Sequence, residues 1–316
     1  MRFALDDEAA ALRDAAREVL AAEQDRDAAW NKLVAVGAVG TLVPEDRGGL
    51  GLDENALVPL LEEIGYRGLA VPAVETIAVA APLLDSVPDS MIAALLDDGN
   101  LLPFGQIAPL ALLRRGPALR LYAQEELNLE PCVTVDDGRA MSRVLGAGGV
   151  AGVGNYGTEL TRDPAVIEGA WQRGVLGTAA VLTGLTRRML DMTVAYVRGR
   201  EQFGVPVGSF QAIKHALADA LVAIEFARPL VLAAGWAQAS GAADANVLTS
   251  AAKARASDVA RRVARTAIQC HGAMGYTTEY ELHVFVKRAW ALAPAWGDAA
   301  GHRALIAEKT IGVTDG

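Results

Sequence analysis

The second half of the chain places the strongest constraint on its fold. Over residues 166–200 apolar side chains recur without a break, among them Val175, Leu176, Ala179, Leu182, Leu185, Met189 and Val194, which suits one long helix buried on several sides. Further helices are predicted over 209–236, 245–271 and 281–290. Long helices joined by short connections cover their apolar faces by packing as an antiparallel four-helix bundle.

Residues 4–87 also read as helical. Leu5-Asp-Asp-Glu-Ala opens with acidic residues suited to a helix N-terminus, and Leu12, Ala15, Ala16, Val19 and Leu20 then fall on one face. Residues 30–40 close on glycine. Val43-Pro-Glu-Asp-Arg-Gly-Gly-Leu-Gly51 must be a loop ahead of a helix over 54–64, its glycines permitting the turns. Over 101–162 the texture changes to short apolar runs at 110–113, 119–122 and 132–135. These are predicted strands of a small β unit, with Asp136-Asp-Gly138 as a turn.

With 316 residues and 52% hydrophobic content, the chain can bury a large core across two or three structural units. No apolar run is long enough to span a bilayer and no secretory signal pattern is present, so a cytoplasmic protein without a membrane partner is expected. A net charge of -9 argues against a nucleic-acid partner. Lys253, Arg255, Arg261, Arg262 and Arg265 fall at helical spacing and read as a solvated or interface face. Cys132 and Cys270 lack CxxC spacing, so neither a disulfide framework nor a metal site is expected; both read as small buried apolar residues.

Two segments carry a specific signal. The first is Arg200-Glu-Gln-Phe-Gly204, continuing through Val-Pro-Val-Gly-Ser-Phe-Gln211; the second is Gln269-Cys-His-Gly-Ala-Met-Gly-Tyr-Thr-Thr-Glu-Tyr280. In order and spacing they resemble the acyl-CoA dehydrogenase family, and the loop 43–51 resembles that family's V-P-E-x-x-G-G-L-G signature. The resemblance implies a mainly α fold with a small β unit: an N-terminal helical domain over 1–98, a shortened middle β domain over 99–163 and a C-terminal four-helix bundle over 164–316. It also implies FAD as cofactor, an acyl-CoA substrate and an electron-accepting flavoprotein as redox partner. By the same resemblance Arg200 reaches the FAD pyrophosphate, for which a guanidinium fork is well shaped. Phe203 packs near the adenosine, and Gln211, Gln269, Gly272 and Gly275 surround the ADP moiety.

The resemblance fails at the base. Abstraction of a Cα proton needs a positioned carboxylate. Counted without gaps, the family's Tyr-Glu-Gly-Thr motif falls on Ala295-Trp-Gly-Asp298, which puts its glutamate on Trp296, and the alternative position on the earlier helix falls on Gly174. Asp298 can be proposed as a shifted base but reads better as a solvated or helix-capping aspartate. His271 and His302 read as hydrogen-bonded structural residues. The middle region lacks the family's Glu-Pro-Gly. The implied role is a subunit of an α2β2 acyl-CoA dehydrogenase that completes a partner's FAD site, acting on a fatty-acyl or steroid side-chain thioester. Alternatives are a homomeric dehydrogenase using Asp298 and a non-enzymatic scaffold.

Overall fold

Residues 5–23, 25–145 and 157–312 are described by the computed structural model of the chain. The start of the predicted helical region at Ala4, and 146–156 of the predicted β unit, lie outside them. The chain divides into two compact units, one of residues 5–60 and 69–177 with mixed structure, the other of residues 61–68 and 178–312 and helical.

In the mixed unit α1 (Asp7–Val19) starts where the Asp6 side chain accepts the Ala9 N–H at 2.8 Å, with Asp7 and Glu8 in its first turn. Leu12, Ala16 and Leu20 are buried as the spacing requires. α2 (Arg26–Ala35) is capped likewise by Asp25. In the loop ahead of α3 (Glu54–Arg67), Gly48 and Gly51 take φ of 82° and 63°, and a Cβ on Gly49 would sit 2.0 Å from the Val43 carbonyl oxygen. The glycine signature there is a backbone requirement.

A buried π-helix, Val74–Ala80, leads to the first strand. β1 (Ile92–Leu95), ahead of the predicted strand region, is buried throughout and pairs in parallel with β3 (Leu110–Arg115), while β2 (Leu101–Leu102) joins a second sheet. β3 returns antiparallel as β4 (Ala118–Ala123) through a two-residue turn in which Gly116 has φ 56°. β5 (Leu129–Pro131) and β6 (Ser142–Val144) complete the second sheet, in the order β2-β6-β5, and β7 (Thr158–Thr161) lies on β4.

The strand predicted at 132–135 is not formed. The ladder to β6 ends at Pro131, and one further bond from the Cys132 N–H to the Met141 carbonyl closes it. Val133 is fully exposed, and the chain then enters the turn started by Asp136, whose carboxylate accepts the Gly138 N–H. Alternating apolar residues do not make a strand where no partner strand continues. Cys132 is half-buried, not buried as expected, whereas Cys270 is buried.

The predicted helices form with nearly their expected bounds: α4 (Pro164–Gly199), which begins in the mixed unit and continues into the helical one, then α5 (Gln211–Ala239), α6 (Ala245–His271) and α7 (Leu282–Leu292), followed by α8 (Ala299–Ile311). α6 packs against α5, α7 and α8. Both α5 and α6 bury alanines, Ala220, Ala223 and Ala227 on the one and Ala256, Ala260 and Ala264 on the other. α3 and α4 approach closely at glycines: a Cβ on Gly184 would lie 2.0 Å from the Glu62 carbonyl oxygen, and one on Gly65 2.3 Å from that of Val181. No helix among the described residues is long and apolar enough to cross a membrane.

Candidate cofactor-binding cleft

α4 ends at Gly199, and Arg200 follows with its N–H still bonded to the Tyr196 carbonyl at 2.9 Å. The chain then folds into a small hairpin, β8 (Glu201–Gln202) against β9 (Val205–Pro206), in which Gln202 pairs with Val205 across a two-residue turn. Both turn residues have positive φ, 54° at Phe203 and 78° at Gly204. A turn of this kind demands φ > 0 at both positions and is normally built from Asn, Asp or Gly. Phenylalanine there is strained, and the residue is 94% exposed, its ring lying edge-to-face with Phe210 at a centroid distance of 6.3 Å. Backbone strain of this kind persists only where the surrounding structure imposes it, and such positions cluster at functional sites.

The hairpin faces the end of α6. Between them lies a cleft of about 390 Å³, within the usual range of small-molecule sites. Arg200, Phe203, Gln269 and Gly272 all line it, so four of the six predicted cofactor contacts come together although they lie in two distant segments. Gln211 and Gly275 do not line it. Gln211 begins α5 and is exposed; Gly275 is buried, and a Cβ on it would meet the Ile268 carbonyl oxygen at 2.6 Å, which makes it a packing requirement of the turn after α6. Gly272 ends α6 with φ 61° and ψ -136°, a region open in practice to glycine alone.

Among the lining residues Arg200 is the only permanent charge, and no side-chain partner engages its guanidinium among the described residues. His271, also in the wall, is stacked on Tyr196 at 4.2 Å and its Nδ1 bonds to the Ala267 carbonyl at 2.8 Å. Burial holds its imidazole below the ordinary histidine range, which favours the neutral form. Burial likewise pushes the Cys270 thiol up, away from thiolate chemistry. Tyr196, Phe210 and Ile213 complete an aromatic and apolar wall that the motif spacing did not single out. The cleft can grip an anion and pack a planar group, and it holds no carboxylate that could remove a proton.

The two expected base positions stand elsewhere. Gly174 is inside α4 in the mixed unit, and Trp296 is in the turn between α7 and α8 of the helical unit, with φ 57° and its side chain buried. Asp298 is the N-cap of α8: its Oδ1 accepts the Gly301 N–H at 2.8 Å, and that bond holds its carboxyl below the usual aspartate range. His302 is hydrogen-bonded on both sides, to Ser250 at 3.2 Å and to the Trp296 carbonyl at 3.0 Å.

One residue departs sharply from the sequence reading. Lys253, assigned to a solvated or interface face, is completely buried, while Arg262 and Arg265 on the same helix are exposed. Its ammonium donates to Ser257 Oγ at 3.0 Å and to the carbonyls of Ala293 and Gly297 at 2.9 Å each. Helical spacing places a lysine on a face; only the carbonyls arriving from the α7–α8 turn make burial there tolerable.

Comparison with known proteins agrees with this anatomy. Residues 5–91 match the acyl-CoA dehydrogenase N-terminal domain and residues 165–311 the acyl-CoA dehydrogenase C-terminal domain. The acyl-CoA dehydrogenase IpdE2 of Mycobacterium tuberculosis is 31% identical over 296 residues, covering 87% of this chain and 84% of that protein. A chain of the ChsE4-ChsE5 complex of the same organism superposes with a TM-score of 0.82 at 24% identity over the whole of both chains. A variant of the Tcur3481-Tcur3483 steroid ACAD gives 0.80 at 25% identity, covering 98% of this chain and 99% of that one. Matched at both ends by the family's own domains and along most of its length by a relative, the chain belongs to the acyl-CoA dehydrogenase family.

Proposed function

We propose that this chain is one subunit of a heteromeric acyl-CoA dehydrogenase, binding the pyrophosphate and adenosine end of FAD while a second, related subunit supplies the catalytic carboxylate. The observation that carries this reading is the pairing, in one cleft lined by no acidic residue, of a guanidinium at Arg200 without a side-chain partner among the described residues and a strained, exposed ring at Phe203. A chain kept only as a scaffold has no use for either.

The cleft fits part of the cofactor. A guanidinium suits phosphate oxygens, an aromatic wall suits a purine, and about 390 Å³ of open cleft suits the nucleotide end more than the whole dinucleotide. When bound, FAD supplies the two-electron acceptor for α,β-dehydrogenation of a thioester. Arg200 binds and orients phosphate, Phe203 covers a planar group, and Gln269 offers an amide beside them. Asp298 is committed to capping α8 with a lowered pKa, which makes it a poor base for a carbon acid.

A partner chain is supported by α5, where Val222, Phe226 and Leu230 are exposed at intervals of four residues and Leu221 stands beside them. The similar ChsE4-ChsE5 and Tcur3481-Tcur3483 proteins are named as pairs, and the latter as a steroid enzyme. A bulky steroid side-chain thioester is accordingly the substrate class proposed here, with electrons passing on to a second flavoprotein.

The test is flavin content. The isolated chain should purify nearly colourless, and co-expression with its partner should give flavin absorbance. Arg200→Ala in the complex should weaken FAD retention by about one to two decades, the equivalent of one charge-assisted hydrogen bond. Full flavin occupancy in the isolated chain would remove the need for a partner.

A further inference from the structure

The turn between α7 and α8 holds two consecutive residues with positive φ, 57° at Trp296 and 91° at Gly297, and a buried tryptophan is not expected to adopt this conformation unaided. Three of the carbonyls around the turn are engaged by side chains from other elements. Lys253 and Ser257, one helical turn apart on α6, both bond to the Ala293 carbonyl, at 2.9 and 3.0 Å. Lys253 also takes the Gly297 carbonyl at 2.9 Å, and His302 on α8 takes that of Trp296 at 3.0 Å. The Asp298 cap then fixes the exit into α8.

We propose that Lys253 is the positioning residue of this turn: its ammonium, reaching across from α6, holds the Gly297 carbonyl and thereby keeps Trp296 in its left-handed conformation. The inference concerns only this chain's own turn and stands whether or not the flavin site is shared.

The hydrogen-bond arithmetic supports it. An ammonium has three protons, and three acceptors meet it: Ser257 Oγ and the two carbonyls. A neutral amine has two protons and a lone pair. It can keep both carbonyls only if the Ser257 hydroxyl turns from the Ala293 carbonyl to donate to the lysine nitrogen. The contacts then survive, but they lose the charge assistance that makes such bonds about twice as strong. Burial pulls the lysine's pKa down to about 7, with Arg261 of α6 adding to the effect and Asp298 opposing it. His302, which also feels Lys253, is itself held below the ordinary histidine range, and elsewhere on the packed elements Arg303 pairs with Asp258 and Arg262 with Asp219 of α5. α7 contributes the Ala293 carbonyl. The hold on the turn should therefore weaken as the pH rises through neutrality.

The full chain labelled with fluorotryptophan tests this by ¹⁹F NMR, with the Trp296 signal assigned by its loss in Trp296→Phe. The wild-type Trp296 resonance should titrate with a midpoint near 7, and its exchange broadening should grow about fivefold on the alkaline side, the effect of exchanging a charged for a neutral hydrogen bond. Lys253→Met should lose that transition while keeping any acid-side transition of His302. Ser257→Ala, which removes one acceptor from the ammonium, should lower the midpoint, and it serves if the methionine variant does not fold. A flat Trp296 signal across neutral and alkaline pH, an unchanged transition in Lys253→Met, or an unmoved midpoint in Ser257→Ala would overturn the assignment.

Discussion

Arg228 on α5 holds the carboxylate of Glu62 on α3 through three hydrogen bonds, each 3.0 Å long. Glu62 is 2% exposed, and burial raises its pKa despite the guanidinium, so the native state holds a proton more tightly than the unfolded chain does. The pair joins helices distant in sequence, and one side of it is out of water.

Arg228→Met should therefore leave a buried carboxylate unpaired and lower stability by about 1–3 kcal/mol at neutral pH. Solvent reaches about a third of the Arg228 side chain, which places the loss toward the lower end. The sign with pH is fixed by the raised pKa: stability falls as pH rises from the unfolded to the native value of Glu62, so the variant's deficit should shrink in mild acid. Urea unfolding at pH 7 and pH 5 checks this, and an equal deficit at both would show that the ion pair is not its cause.

Phe203→Gly separates stability from binding in one variant. Glycine removes the strain at φ 54° and gives up almost no packing, since the residue is 94% exposed. The expected result is a chain as stable as the wild type or up to about 1 kcal/mol more so, the strain relief being partly offset by glycine's backbone entropy. Flavin retention by the complex should fall. Loss of stability together with unchanged flavin binding would show that the ring packs within the chain rather than against a ligand.

Asp298→Asn and Asp298→Ala distinguish a cap from a base. Asparagine caps as well as aspartate, so the first should leave both the melting temperature and the turnover of the complex nearly unchanged; alanine should lower the melting temperature alone. The lowered pKa of Asp298 adds stability above its unfolded value that is lost as pH falls through its native value, and the asparagine variant should lack this acid-side loss. A drop in turnover of about 10²–10⁴ fold in Asp298→Asn would identify it as the base and end the two-subunit reading.

What was legible in the sequence is what short-range interactions encode. The bounds of α6, the Asp6 and Asp298 caps, the glycine loop at 43–51 and the turn at Asp136 each depend on residues a few positions apart, so pattern and cap chemistry suffice. The two motif segments stood out for another reason: their order resembles a known family, and folding brings Arg200 and Phe203 to Gln269 and Gly272 in one cleft.

Tertiary structure decided the rest. Cys132-Val-Thr-Val135 has the alternation of a strand, yet only a neighbouring strand could have made it one, and β6 begins at Ser142, opposite Pro131. Gly275, which the motif resemblance implies at the ligand, is required to be glycine by the Ile268 backbone it packs on. Lys253 sits at the spacing of a solvated face but lies in the core, because acceptors forty and forty-four residues away join Ser257 in taking its three protons. A sequence shows what a side chain can bond to; whether partners arrive to make burial tolerable depends on distant elements, and only the packed chain brings them within hydrogen-bond reach.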